Sequence, residues 1–115
     1  MYNISIIGNM PSINSKYGLN TRTKKLYLNP KYRDYKNRVS AMFKSKYPLQ
    51  VPYKGNVHVK IFMRTKKDID NVIKPTLDGL NGYAYVDDRQ ITKLEVERLQ
   101  YVDVEGITVG ITEVE

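Results

Sequence analysis

Asn56-Val57-His58-Val59-Lys60-Ile61-Phe62-Met63-Arg64 is the stretch from which the fold is read. Val57, Val59, Ile61 and Met63 leave one face of an extended chain, and His58, Lys60 and Arg64 leave the other. A period of two with one apolar side predicts a strand buried on one face. Downstream the period changes. Ile69, Val72, Ile73, Leu77 and Leu80 recur at helical spacing, and Asn81-Gly82 supplies a stop, so a helix is expected from Asp70 or Asn71 to Gly82. Pro75 sits awkwardly inside it, which predicts a late start or a distorted first turn.

Upstream, Asn29-Pro30 reads as a cap followed by proline at the first helical position. Tyr32, Tyr35, Val39, Met42 and Phe43 share one helical face, which assigns the tyrosines to the core. Lys31, Arg33, Lys36, Arg38 and Lys44 lie mostly off that face, and Pro48 limits the helix to about Lys46. Tyr2–Ile7 reads as a first strand ending at Gly8, and residues 9–20 as a long loop dense in turn-formers. Arg22–Leu28 is left open between short strand and ordered loop, and Tyr83–Val86 is a short strand or extended link. Ile91–Tyr101 and Gly106–Thr112 read as strands joined by a turn over 102–106, which predicts an antiparallel hairpin.

Composition narrows the chemistry. The 115 residues make one domain with a real core. The chain has no cysteine, which removes disulfides, thiolate nucleophiles and Cys-ligated zinc. A single histidine, His58, leaves Ser-His-Asp and Cys-His catalysis without support, and it is expected as an exposed or half-buried strand residue. No apolar run reaches membrane-span length, and the start lacks the marks of a signal peptide, so a cytoplasmic, membrane-free protein is expected. The net charge of +7 is unevenly spread. Residues 1–67 hold fifteen Lys/Arg against Asp34 alone, a net +14, whereas residues 68–115 hold four against eleven acids, a net −7. The basic half suits a polyanion, since each phosphate neutralised releases counterions. The acidic half suits it only if some carboxylates hold metal.

Those carboxylates concentrate in Asp68-Ile69-Asp70-Asn71-Val72-Ile73-Lys74 and in Asp87-Asp88. In extended backbone Asp68 and Asp70 leave the same face, where two like charges repel unless a cation lies between them. A calcium loop of the EF-hand kind fails, because its fifth, sixth and twelfth positions would be Val72, Ile73 and Gly79. Helix capping by Asp70 and a turn at Asp87-Asp88-Arg89 form one reading. A metal-ion nuclease site is the other. There, a few carboxylates and the phosphate oxygens hold magnesium, and Lys74, one helical turn beyond Asp70, offsets charge developing at phosphorus.

Asp68-x-Asp70-Asn71-x-x-Lys74-x-x-x-Asp78-x-Leu80-Asn81-Gly82 followed by Asp87-Asp88-x-Gln90-Ile91 strongly resembles the RusA family of Holliday junction resolvases. Pro11-Ser12-x-Asn14 with Tyr17 is similar to that family's N-terminal loop, and the likeness covers nearly the whole chain. The resemblance implies a single α+β domain over residues 1–115, a mixed sheet of four to five strands flanked by two helices. It implies a homodimer that uses magnesium, with manganese as the alternative ion, to cut four-way junctions by paired symmetric nicks in a recombination, repair or replication setting, often that of a phage or prophage. By matched position it implies Asp68, Asp70 and Asp88 as metal-binding carboxylates, with Asp87 as the alternative to Asp88, and Lys74 as base or charge stabiliser. Lys67 stands where the family carries an arginine that contacts DNA. The further candidates for DNA contact are Arg64, Lys66, Asn14, Lys16, Arg22, Lys24 and Asn71. Two other readings share these residues: a non-catalytic branched-DNA binder on the same fold, and a nuclease for flaps or forks.

Overall fold

The computed structural model describes residues 1–8, 10–11, 17–100 and 104–114. Asn14, Lys16 and residues 101–103 of the expected hairpin turn lie outside them. Eight elements follow in order: β1 (Tyr2–Ile7), β2 (Tyr17–Asn20), β3 (Lys25–Leu28), α1 (Pro30–Lys46), β4 (Val57–Arg64), α2 (Ile69–Leu80), β5 (Ile91–Arg98) and β6 (Gly106–Glu113). Four strands form a mixed sheet in the order β1-β6-β4-β5, and β2 and β3 pair separately as a two-stranded antiparallel sheet. The fold is therefore α+β. Two expectations are refined here: residues 17–20 of the supposed long loop form a strand, and Lys25–Leu28 is its partner.

The alternation read from β4 holds. Val57, Val59, Ile61 and Met63 are buried while His58, Lys60 and Arg64 are exposed. The same parity in β1 (Tyr2, Ile4, Ile6) and β6 (Ile107, Val109, Ile111) builds one apolar sheet face, covered by α1 and α2 in a single core cluster. The other face of the sheet is bare of helix. In α1, Asn29 caps as expected, its side-chain oxygen accepting from the Lys31 N–H at 3.0 Å. Tyr32, Tyr35, Val39 and Phe43 are buried, but Met42 is 39% exposed and its place on the inner stripe is taken by Ser40. A serine suits that position because its hydroxyl donates to the Gly79 carbonyl of α2 at 2.6 Å.

Helix α2 begins at Ile69, so Asp68, not Asp70, holds the N-cap position, and the helix runs through Pro75 to Leu80. Proline there forgoes only the ladder bond to the Asn71 carbonyl. Ile69 is 42% exposed, whereas Val72, Ile73 and Leu80 are buried. Thr76 ties the helices together, donating to the Val72 carbonyl (2.7 Å) and sharing a hydrogen bond with the Tyr35 hydroxyl (2.9 Å). The helices come close together at Gly79. A Cβ there would stand 2.7 Å from the Lys36 carbonyl oxygen and 2.7 Å from Val39 Cβ. Backbone oxygen and a branch carbon cannot swing away, so overpacking outweighs alanine's better helix propensity. Gly79→Ala is expected to lower the melting temperature by roughly 4–10 °C in thermal unfolding.

One expectation is overturned. Strands β5 and β6 are not a hairpin: β5 pairs in parallel with β4, and β6 lies between β1 and β4, antiparallel to both. The reason is side-chain composition. β6 presents Ile107, Val109 and Ile111 to the core and can be covered on both edges, whereas β5 carries Lys93, Glu95, Glu97 and Arg98, which suit a sheet margin. The chain therefore makes a β4–α2–β5 crossover, and the connection after β5 carries it past β4 to the centre of the sheet.

Candidate metal and nucleic-acid site

The crossover fixes where each acid can be. Asp68 and Asp70 follow the carboxyl end of β4 and open α2. Both are exposed, and among the described residues neither carboxylate has a hydrogen bond or ion pair. Asp68 occupies an N-cap position without making the capping hydrogen bond, although an aspartate there ordinarily accepts one. Asn71 is half-buried and engaged, and Lys74 is exposed one turn beyond Asp70.

Asp87 and Asp88 lie at the opposite end of the sheet. They precede β5, whose first residue, Ile91, pairs with Val57 at the amino end of β4. Gln90 sets this turn. Its side-chain oxygen accepts from the Val86 and Asp87 N–H groups, both at 2.8 Å, and its amide donates to the carbonyls of Tyr53 (2.8 Å) and Gly55 (2.7 Å). A single 3-10 turn, Asp88–Gln90, follows. The Arg89 guanidinium donates to Asp87 at 2.7 Å, and that contact holds the Asp87 carboxyl below its usual range. Asp88 moves the other way. Its hydrogen bond with Asp87 contributes most, then slight burial, then the negative charges of Asp87 and Asp78. Asp87 is thus already partnered by the Arg89 guanidinium, and Asp88 is the exposed carboxylate that is not in contact with it.

Asp78 is the acid that spacing alone passes over. It belongs to the quoted motif, yet only the fold turns it from α2 toward Asp88, while the Tyr32 hydroxyl donates to it from α1. Asp78 also joins the wall of a polar groove of 560 Å3 between the helices, lined by Lys36, Asn37, Lys44, Asn81 and Tyr83. From Asp78 back to Asp70, α2 rises about 12 Å. Asp88 therefore stands far beyond the few ångströms that would let it share an ion with Asp68 and Asp70 of its own chain. Among the described residues, no three His, Asp or Glu side chains gather as a cage for a metal ion.

The basic candidates divide. Arg64 is exposed on the open sheet face at the end of β4, and Lys66 is exposed but engaged. Lys67 is half-buried, its ammonium donating to the Met10 carbonyl and lying 3.4 Å from Glu105. Glu105 in turn accepts from Thr65. Arg22 and Lys24 are exposed at the β2–β3 turn, far in sequence from the acids. A residue that sequence reasoning missed is Arg98. From β5 its guanidinium donates to the Thr65 carbonyl and, at 3.0 Å, to that of Lys67, bracing the segment that leads into Asp68. No sequence signal marks it beyond an arginine at a strand end.

Two exposed carboxylates stand at the start of α2 on a chain of net charge +7. The family described as endodeoxyribonuclease RusA matches residues 8–112 of the 115, and the chain belongs to that family. Its coarse chemistry is therefore that of a DNA-cutting nuclease. Among curated proteins none matches the chain. No helix is long and apolar enough to cross a membrane among the described residues.

Proposed function

We propose that this protein is a magnesium-dependent endonuclease that resolves four-way DNA junctions as a homodimer. The observation that carries the reading is the pair of exposed carboxylates at the start of α2, without a partner among the described residues, on a chain that belongs to an endodeoxyribonuclease family. The donor set is all hard oxygen, which suits magnesium or manganese. Asp68 and Asp70 would hold the ion from one side. Asp88 of the same chain is too distant along α2, so the partner's Asp88 completes the set across a two-fold axis.

When bound, the ion would polarise the scissile phosphate and lower the pKa of an attacking water. The chain's own groups do the rest. As the water gives up a proton to bulk solvent and its oxygen bonds to phosphorus, the P–O bond to the leaving sugar breaks and that oxygen gains a proton. Lys74, exposed one turn from Asp70, offsets the added negative charge and can donate that proton. Arg98 keeps the 65–67 segment from drifting, so the two aspartates arrive in fixed positions. The groove walled by Lys36 and Lys44 offers a path for a DNA arm through its phosphates, which position the duplex without reading sequence.

A synthetic four-way junction incubated with and without magnesium tests the reading. Paired, symmetry-related nicks that need the ion are expected. Nicks confined to flaps or forks assign a different substrate, and salt-sensitive binding without nicks assigns a non-catalytic role.

A further inference from the structure

The two margins of the sheet are treated differently by the fold. At β1 the outward backbone is partly covered: the Asn3 N–H donates to the Tyr47 hydroxyl at 2.8 Å, that hydroxyl donates back to the Asn3 carbonyl at 3.2 Å, and Arg38 donates to the Ile7 carbonyl. At β5 nothing comparable is present among the described residues. The Leu99 N–H bonds back to Met63 of β4. By alternation, the backbone groups of Thr92, Leu94 and Val96 point outward. On the helix side of the sheet, Leu94 is 42% exposed and Val96 is half-buried. An eight-residue edge left uncovered by the described residues, with Leu94 and Val96 on one face, is a template for another strand.

We propose that the occupant of this edge is the β5 strand of a second copy, paired antiparallel with Leu94 on the two-fold axis. The proposal rests on the dimer reading above and names its surface. Charge selects the register. With Leu94 opposite the partner's Leu94, each Lys93 faces the partner's Glu95, Thr92 faces the partner's Val96, and the exposed leucines bury each other. Moving the axis to Glu95 sets like charges directly opposite, and moving it to Val96 sets Glu95 against the partner's Glu97. Lys93 and Lys60 already reach Glu95 within one chain, at 2.9 and 3.8 Å, so pairing would link the charges across the axis. The same register accounts for the divided acids. Asp88 sits in the turn just ahead of β5, so this register brings the partner's Asp88 toward the carboxyl end of β5, where Arg98 grips the Thr65 and Lys67 carbonyls just ahead of Asp68. Strand pairing thus carries an acid from the amino end of one β5 to the carboxyl end of the other.

The test exploits the absence of native cysteine. Opposed residues in such a pair have Cα atoms about 5.5 Å apart, within disulfide range, whereas Thr92 and its symmetry mate are about 14 Å apart. Mild oxidation of purified Leu94→Cys should give more than about tenfold more covalent dimer than Thr92→Cys. Independently, Lys93→Glu should weaken dimerisation by about tenfold in analytical ultracentrifugation, and Lys93→Glu/Glu95→Lys should restore it. A dimeric protein in which Leu94→Cys stays unlinked overturns the proposal, as does a dissociation constant untouched by Lys93→Glu. Shielding of the Leu94→Cys thiol by DNA, but not by self-association, would assign the edge to nucleic acid and also overturn it. Failure here is separable from failure of the shared-site reading. Crosslinking without subunit complementation leaves the edge intact and removes the shared site, and the converse result does the reverse.

Discussion

Asp70→Asn is expected to lower junction cleavage by about 10³-fold or more while junction binding stays within about twofold of wild type. The substitution keeps the shape of the side chain and removes its charge. Asp70 is exposed in the first turn of α2 and has no protein partner among the described residues, so little folded structure depends on it. The only stabilisation lost is its interaction with the positive end of the helix, about 0.3–1 kcal/mol. Binding measured without magnesium should hold or tighten slightly, because one negative charge no longer opposes the phosphates. A merely capping or surface aspartate predicts the opposite pattern, with cleavage near wild type. Single-turnover cleavage of a labelled junction, read beside a gel-shift titration on the same preparation, separates the two. Cleavage within tenfold of wild type would remove Asp70 from the site.

Most of this site was legible as residues and little of it as geometry. The β4 alternation, the Asn29-Pro30 start of α1 and the Asn81-Gly82 stop of α2 are local signals. Each is decided within a few residues of itself, and each holds in the fold. The expected β5–β6 hairpin failed because strand order is not local. The turn-formers over 102–106 fit a tight reversal, but three buried apolar residues in β6 and four charged ones in β5 send the former to the sheet centre and the latter to its margin. That change matters for function. A hairpin would have left β5 without its parallel partner, whereas the crossover sends Asp68 and Asp88 to opposite ends of α2. The exposure of Met42 has a similar origin, since the close helix crossing at Gly79 favours a hydroxyl that can bond across it. Arg98 and Gln90 make backbone bonds to segments more than thirty residues away, and no short window of sequence contains both ends of such bonds.

The division of the acids between two ends of α2 leads to a result that mixing subunits should reveal. Asp70→Asn and Asp88→Asn homodimers are each expected to be inactive, but a mixture exchanged to equilibrium should recover about one quarter of wild-type nicking. In the mixed dimer, one site joins the Asp70→Asn lesion to the partner's Asp88→Asn lesion and is doubly dead. The other site joins an intact Asp68–Asp70 pair to an intact Asp88 from the partner. Half of the dimers are mixed and each has one working site, which gives the quarter. If each site instead lay within one chain, every site in every dimer would carry a lesion, and no activity would return. The recovered product should also differ in kind. One working site cuts one strand, so the mixture should yield singly nicked junctions with few resolved duplexes. The double variant, Asp70→Asn/Asp88→Asn, sharpens the contrast. Mixed with wild type, it should poison both sites of each mixed dimer, since each lesion falls in a different site. Sites within one chain would leave one of the two working. Gel separation of nicked and resolved junctions reads all of these outcomes, and complementation at the background level would remove the partner's Asp88 from the metal site.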